Sequence, residues 1–179
     1  MEFKIDNHVI LRQLKKEDAI DLFNAIDSQR KYLGRWLPFV EHTKSVSDTQ
    51  AFVNSVVNSP ADKIEFTFII QVDGKFAGLI GFKDTDRTNR KTEIGYWLSR
   101  EYQGRGVMTK SVKRLCEFAF RELNINRIQI KCAVGNSSSI AIPERIGFKP
   151  EGIERDGELL TGGTFTDLYV YSLLKGEYI

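Results

Sequence analysis

Gln103-Gly104-Arg105-Gly106-Val107-Met108 is the stretch on which the reading of this chain turns. It follows a strand-like run, Thr92 to Leu98. It opens a segment, about Val107 to Leu123, in which Val112, Leu115, Ala119 and Phe120 recur on one helical face. Glycines at 104 and 106 let a backbone approach a ligand with no Cβ in the way. A helix starting there supplies unpaired N–H groups and the positive end of its dipole. Together these suit a pyrophosphate, with Arg105 and Lys110 adding charge at the rim. Read alone, the same residues are as readily a plain turn. Two phosphate loops do not fit. Thr109 stands where a P-loop has the glycine before its Lys-Ser, and also where the dinucleotide fingerprint has its third glycine.

Outward from this loop, strand and helix patterns alternate, which predicts an α/β or α+β fold. Val9 to Leu11 reads as a first strand. Asp18 reads as the cap of a helix with Ala19, Leu22, Phe23 and Ile26 on one face. Ser28 to Phe39 is a short aromatic segment. Ser47 reads as the cap of a further helix carrying Ala51, Phe52, Val56 and Val57. Glu65 to Val72 and Phe76 to Phe82 read as strands joined by the hairpin signal Asp73-Gly74. The polar stretch Asp84 to Lys91 leads into Thr92 to Leu98. After the long helix come a strand at Arg127 to Val134 and a helix near Ser138 to Ile146 ended by Gly147. Strands near Ile153 to Arg155 and Phe165 to Leu174 close the chain.

The 179 residues fit one domain, 1–179, without linker, repeat or low-complexity segment. A formal charge of +2 gives no electrostatic argument for a nucleic-acid partner. No apolar run approaches the roughly 20 residues of a membrane span, and Met1 to Asp6 lacks a signal-peptide core, so a cytoplasmic protein without a membrane partner is expected. Cys116 and Cys132 are far apart in apolar surroundings and read as buried, reduced thiols. His8 and His42 have no partner at ligand spacing, so no metal site is expected.

The glycine loop resembles the Q/R-x-x-G-x-G/A signature of the GNAT superfamily, the GCN5-related N-acetyltransferases; Met108 departs from its final Gly or Ala. Asn136-Ser137-Ser138-Ser139 through Glu144-Arg145-Ile146-Gly147-Phe148 resembles that superfamily's N-x-x-S…E-R/K-x-G-F block. Glu93 to Leu98, Leu33 to Pro38 and Tyr169 to Leu174 look like the RimJ/RimL-type subgroup, which acetylates N-terminal amines of ribosomal proteins. The resemblance spans nearly the whole chain. It implies a mixed, mostly antiparallel twisted sheet of about seven strands, splayed between the fourth and fifth and flanked by helices.

It also implies an acetyl-CoA-dependent transfer to an amine. Pantetheine would enter the splay and hydrogen-bond like an added strand to Trp97 and Leu98. Gln103, Gly104, Arg105, Gly106, Val107, Met108 and Thr109 would cradle the pyrophosphate, and Asn136 would meet the pantetheine arm. Attack on a thioester needs a free amine, a stabilised oxyanion and a proton for the leaving thiolate. A backbone N–H near Leu98 would serve the oxyanion. Ser139 matches the position facing the CoA sulfur and is the candidate acid, set against a helix-capping role. For the base, Glu93 shares a strand face with Gly95 and Trp97, set against a strand-start charge satisfied by Arg90 or Lys91. Glu158, in Asp156-Gly157-Glu158, is the second candidate, set against a solvated turn. A water relay is the third route. Trp36, Phe39 and Phe66 wall an acceptor channel or simply fill core, and Arg145 covers helix surface or meets neighbours of Glu144. The expected acceptor is a protein N-terminus, with a small amine (polyamine, amino acid or aminoglycoside) or a non-catalytic acyl-CoA-binding module as alternatives. A homodimer fits the family.

Overall fold

The protein, seen in a computed structural model that describes residues 1–178, is built around one eight-stranded sheet. The strands are β1 (Glu2–Lys4), β2 (Val9–Gln13), β3 (Thr67–Val72), β4 (Lys75–Asp86), β5 (Lys91–Leu98), β6 (Arg127–Ala133), β7 (Lys149–Leu160) and β8 (Thr164–Leu174). The helices are α1 (Ala19–Asp27), α2 (Arg30–Leu33), α3 (Phe39–His42), α4 (Val46–Val57), α5 (Val107–Arg121) and α6 (Ser137–Ile146). The spatial order is β1-β2-β3-β4-β5-β6-β8-β7. Only β5 and β6 run parallel, linked through α5; the other neighbours are antiparallel.

Side chains alternate across each strand, so the sheet presents two faces. Ile80, Ile94, Ile128 and Ile130 meet Val112, Leu115 and Ala119 of α5 in the larger core. Ile69, Leu79 and Trp97 point the other way and meet Leu22, Ile26, Leu33 and Val53 from α1, α2 and α4. Asp73 (φ 50°) and Gly74 (φ 76°) both lie in the left-handed region, as a two-residue hairpin of the type read from the sequence requires.

The decisive feature is where the parallel ladder stops. Lys91, Thr92 and Glu93 pair with Arg127, Ile128 and Gln129, and no pairing continues beyond them. From Ile94 onward β5 stays bonded to β4 while β6 stays bonded to β8. The sheet therefore opens into a wedge between β5 and β6, with the N-termini of α5 and α6 following its two sides.

Four local expectations change. Eight strands replace about seven, because Glu2–Lys4 adds an edge strand whose single buried residue, Phe3, gives no alternation to read. The strand expected at Ile153 to Arg155 spans Lys149–Leu160, almost all exposed, so it too carries no apolar pattern. Helix α4 is capped by Ser45 rather than Ser47. Asp48 accepts from the Ser45 N–H at 2.8 Å, while Ser47 lies inside the helix. Asp18 likewise accepts from Lys15 N–H at 2.7 Å and from Arg12; it closes a short 3-10 turn rather than capping α1 with its side chain.

Candidate active site

The glycine loop sits at the mouth of the wedge. Gly104 and Gly106 both have φ +73°, and Gly106 is the N-cap of α5. A Cβ at either would meet no protein atom, so the backbone conformation, not crowding, demands glycine. The N–H groups of Gly104 through Thr109 donate to no backbone or side-chain acceptor among the described residues; the first amide to be satisfied is Lys110, by the Gly106 carbonyl at 3.0 Å. Six consecutive donors beside a helix N-terminus form an anion site. Val107 and Met108 bury their side chains in the larger core and offer the loop only their amides, so the departure at Met108 is absorbed inward. Gln103 anchors the loop to α2 by donating to the Tyr32 hydroxyl. Gln29 braces the preceding segment, donating to Ser99 Oγ at 2.8 Å and accepting from Arg100 N–H at 3.1 Å. Arg105 lies 5.9 Å from the Tyr102 ring. Lys110 is drawn off the rim by Asp6 at 2.7 Å, and this partner holds the Asp6 carboxyl down at about 2. Of the two expected pantetheine contacts, the Leu98 carbonyl already accepts from Tyr32 at 3.3 Å.

Across the wedge, α6 is closed where α5 is open. Asn136, not Ser139, is its cap, the Asn136 side-chain Oδ1 accepting from Ser139 N–H at 3.3 Å. This removes the capping role from the Ser139 hydroxyl. That hydroxyl lies 3.3 Å from both the Tyr96 hydroxyl and Cys132 Sγ. Pro143 stands four residues on and has no N–H, so the Ser139 carbonyl lacks its helical donor. The Tyr96 hydroxyl takes that place at 3.1 Å. Burial pushes the Tyr96 hydroxyl well above its usual range and also raises the Cys132 thiol. Tyr96 was missed in the sequence; the signal available was the proline four residues beyond Ser139. Cys116 is buried in the larger core.

On the opposite sheet face the two candidate bases converge with two lysines. Glu93 is 7% exposed and is paired with Lys83 at 2.8 Å; Lys131 stands 3.9 Å away and Gln129 donates at 3.1 Å. Its partners are thus Lys83, Lys131 and Gln129 from neighbouring strands, not Arg90 or Lys91. Lys131 also binds Glu154 at 2.7 Å. Glu158 is half-buried inside β7, so it is not a solvated turn residue. Its register to Thr166 follows a shift after Glu154 opposite Leu168, so residues 155–157 bulge around Asp167, whose carboxylate accepts from Asp156 N–H at 2.8 Å. A bulge of this kind re-aims a side chain. Burial raises the Glu158 carboxyl above its ordinary value; Lys83 and Lys131 oppose the shift and Glu93 adds to it.

The remaining candidates scatter. Phe66 packs against Phe118 in the larger core. Phe39 is exposed, and Trp36 lies beside Gly135 at the end of β6, 3.6 Å from where a Cβ there would stand. His8 pairs with Asp73 at 2.7 Å on the surface. Among the described residues no cluster of three His, Cys, Asp or Glu is placed to hold a metal, and no helix is long and apolar enough to cross a membrane.

The family model for an acetyltransferase (GNAT) domain matches residues 8–149. The putative ribosomal N-acetyltransferase YdaF of Bacillus subtilis (strain 168) is 40% identical over 177 residues, covering 98% of this chain and 96% of that protein. The structure of RimL, a ribosomal L7/L12 alpha-N-protein acetyltransferase in complex with coenzyme A, superposes with a TM-score of 0.92 at 25% identity, covering 97% and 98% of the two chains. The microcin C7 self-immunity acetyltransferase MccE, in complex with acetyl-CoA and AMP, gives a TM-score of 0.89 at 26% identity, covering 96% and 95%.

Proposed function

The chain belongs to the GNAT acetyltransferase family, and on that premise we propose that it transfers the acetyl group of acetyl-CoA to the α-amine of a protein N-terminus, of ribosomal-protein type, by direct attack in a ternary complex. The observation that carries the cofactor assignment is the row of unpartnered amides from Gly104 to Thr109 at the mouth of the β5–β6 wedge. In this reading Gln103 through Thr109 hold the pyrophosphate, while Trp97, Leu98 and Asn136 line the pantetheine arm. The likeness to proteins bound to coenzyme A and to acetyl-CoA supports that reading.

The base is Glu158 rather than Glu93. Glu93 is already committed to Lys83 and Gln129, whereas Glu158 has no ion-pair partner within bonding distance among the described residues and sits in the environment that raises its carboxyl. Glu158 takes a proton from the incoming ammonium, directly or through one water. The freed amine lone pair attacks the thioester carbonyl carbon, and a backbone N–H near Leu98 holds the resulting oxyanion. The nitrogen gives up its second proton to solvent as collapse re-forms the carbonyl, breaks the C–S bond and sends the electron pair to sulfur, which takes the proton of Ser139 Oγ. Ser139, held beside the Tyr96 hydroxyl and Cys132 Sγ, recovers its proton from solvent. Residues 1–179 act as one cytoplasmic domain, and a homodimer is consistent with the family.

The test is release of coenzyme A, followed with a thiol reagent, over a panel of N-terminal peptides and small amines. Peptide-dependent release is expected. Tight acetyl-CoA binding with no turnover on any acceptor would instead mark a non-catalytic binding module.

A further inference from the structure

A cleft of about 610 Å³ opens on the Glu158 face of the sheet, between the α2–α3 segment and the tip of the β7–β8 hairpin. Lys31, Arg35 and Glu41 line its helical side; Leu160 and Thr164 line its hairpin side. Leu160 lies two residues past Glu158 on the same strand, hence on the same face and roughly 7 Å farther out. The cleft is therefore the outward continuation of the space in front of the base.

Charge changes sign along that path. Around the base, Glu93, Glu154, Glu158 and Asp84 surround Lys83 and Lys131, so carboxyl groups outnumber the lysines. At the mouth, Lys31 and Arg35 are exposed, four residues apart, and neither has a carboxylate within ion-pairing distance among the described residues. The Arg35 guanidinium stands 4.8 Å from the centre of the Trp36 ring, and Glu41 is the acid among the described residues lining the mouth. The third cation, Arg30, is already spent on Asp27 and the carbonyls of Val40 and Thr43. A protonated amine is drawn to the inner end and an anion to the outer end. A polyamine, cationic along its length, would place charge against Lys31 and Arg35.

We propose that the acceptor is a polypeptide N-terminus carrying acidic side chains at about its third to fifth residues, the positions an extended chain of roughly 3.3 Å per residue brings into the cleft. This rests on the acetyltransferase reading above and names its substrate class.

The experiment compares kcat/KM for a peptide series that differs only at positions three to five: Asp, Ser or Lys. The wild-type protein is expected to favour the Asp peptide over the Lys peptide by about tenfold, mainly through KM, with the ratio shrinking as salt is raised. The charge-reversed Lys31→Glu/Arg35→Glu variant is expected to invert the order. Equal use of all three peptides by the wild type, or an unchanged order in the variant, would overturn the proposal while leaving the N-terminal acetyltransferase reading standing. Acetylation of free polyamines with none of the peptides accepted would overturn both.

Discussion

Helices α5 and α6 follow the two parallel strands of the sheet, and their N-termini are finished in opposite ways. At α6 the Asn136 side chain takes the Ser139 amide, and Tyr96 takes the carbonyl that Pro143 leaves without a donor. At α5 two left-handed glycines replace any cap, and six amides stay open. A closed terminus holds a side chain still; an open one waits for an anion from outside. In the function proposed above, backbone on the α5 side binds the cofactor phosphates and a fixed hydroxyl on the α6 side handles the thiol proton.

The contrast breaks most severely at Gly106. A β-branched residue cannot hold φ +73° without strain, so Gly106→Val should reorganise the loop. We expect acetyl-CoA binding by calorimetry to weaken about 100-fold or more, since several charge-assisted hydrogen bonds are lost together. Tight binding by this variant would show that the open amides are not the phosphate site.

Glu158 tests the third party, the acceptor face. Its raised carboxyl stays protonated, and inactive as a base, to a higher pH than an ordinary glutamate. The acid limb of kcat/KM should therefore rise with pH through an apparent value above 4.5. Glu158→Gln should remove that limb and lower the rate by about 100-fold, the scale of general-base catalysis. A pH profile unchanged in the variant would move the base elsewhere.

On the α6 side, Ser139→Ala should lower kcat by about tenfold or more through loss of general-acid help, with acetyl-CoA affinity kept. Tyr96→Phe removes both the acceptor for Ser139 Oγ and the donor to its carbonyl, and its smaller effect on kcat should vanish once Ser139 is already alanine. Additive losses would separate the two residues. The mildest expected change is at the cap itself: Asn136→Ala should cost about 1 kcal/mol of stability, as lost N-caps do, measured by denaturant unfolding. A stability equal to wild type would mean that α6 is no more closed than α5.

How much of this the chain displays in advance follows from the same contrast. The glycine turn, the central strands and the long helix are local: glycine spacing, alternation and a 3.6-residue stripe lie within short windows, and each element lies about where they predicted. The splay was readable only through the family resemblance, since no residue at Glu93 or Gln129 signals that pairing ends there. The acceptor face depends on neighbours far apart in sequence. Glu93 meets Lys83 and Lys131, and Glu158 is aimed by a bulge pinned by Asp167, none of which is adjacent to its partner in the chain. Tyr96 lies between these cases. Its strand was legible, but its contact with Ser139 exists because a proline removed one N–H from a helix beyond the wedge.

The most direct measurement is an amide NMR titration of the protein with coenzyme A. The largest perturbations are expected on the contiguous amides of Gly104 through Thr109, while the Ser139 amide, already bonded to Asn136, moves little. Perturbations concentrated elsewhere, with those six amides unmoved at saturation, would contradict this assignment.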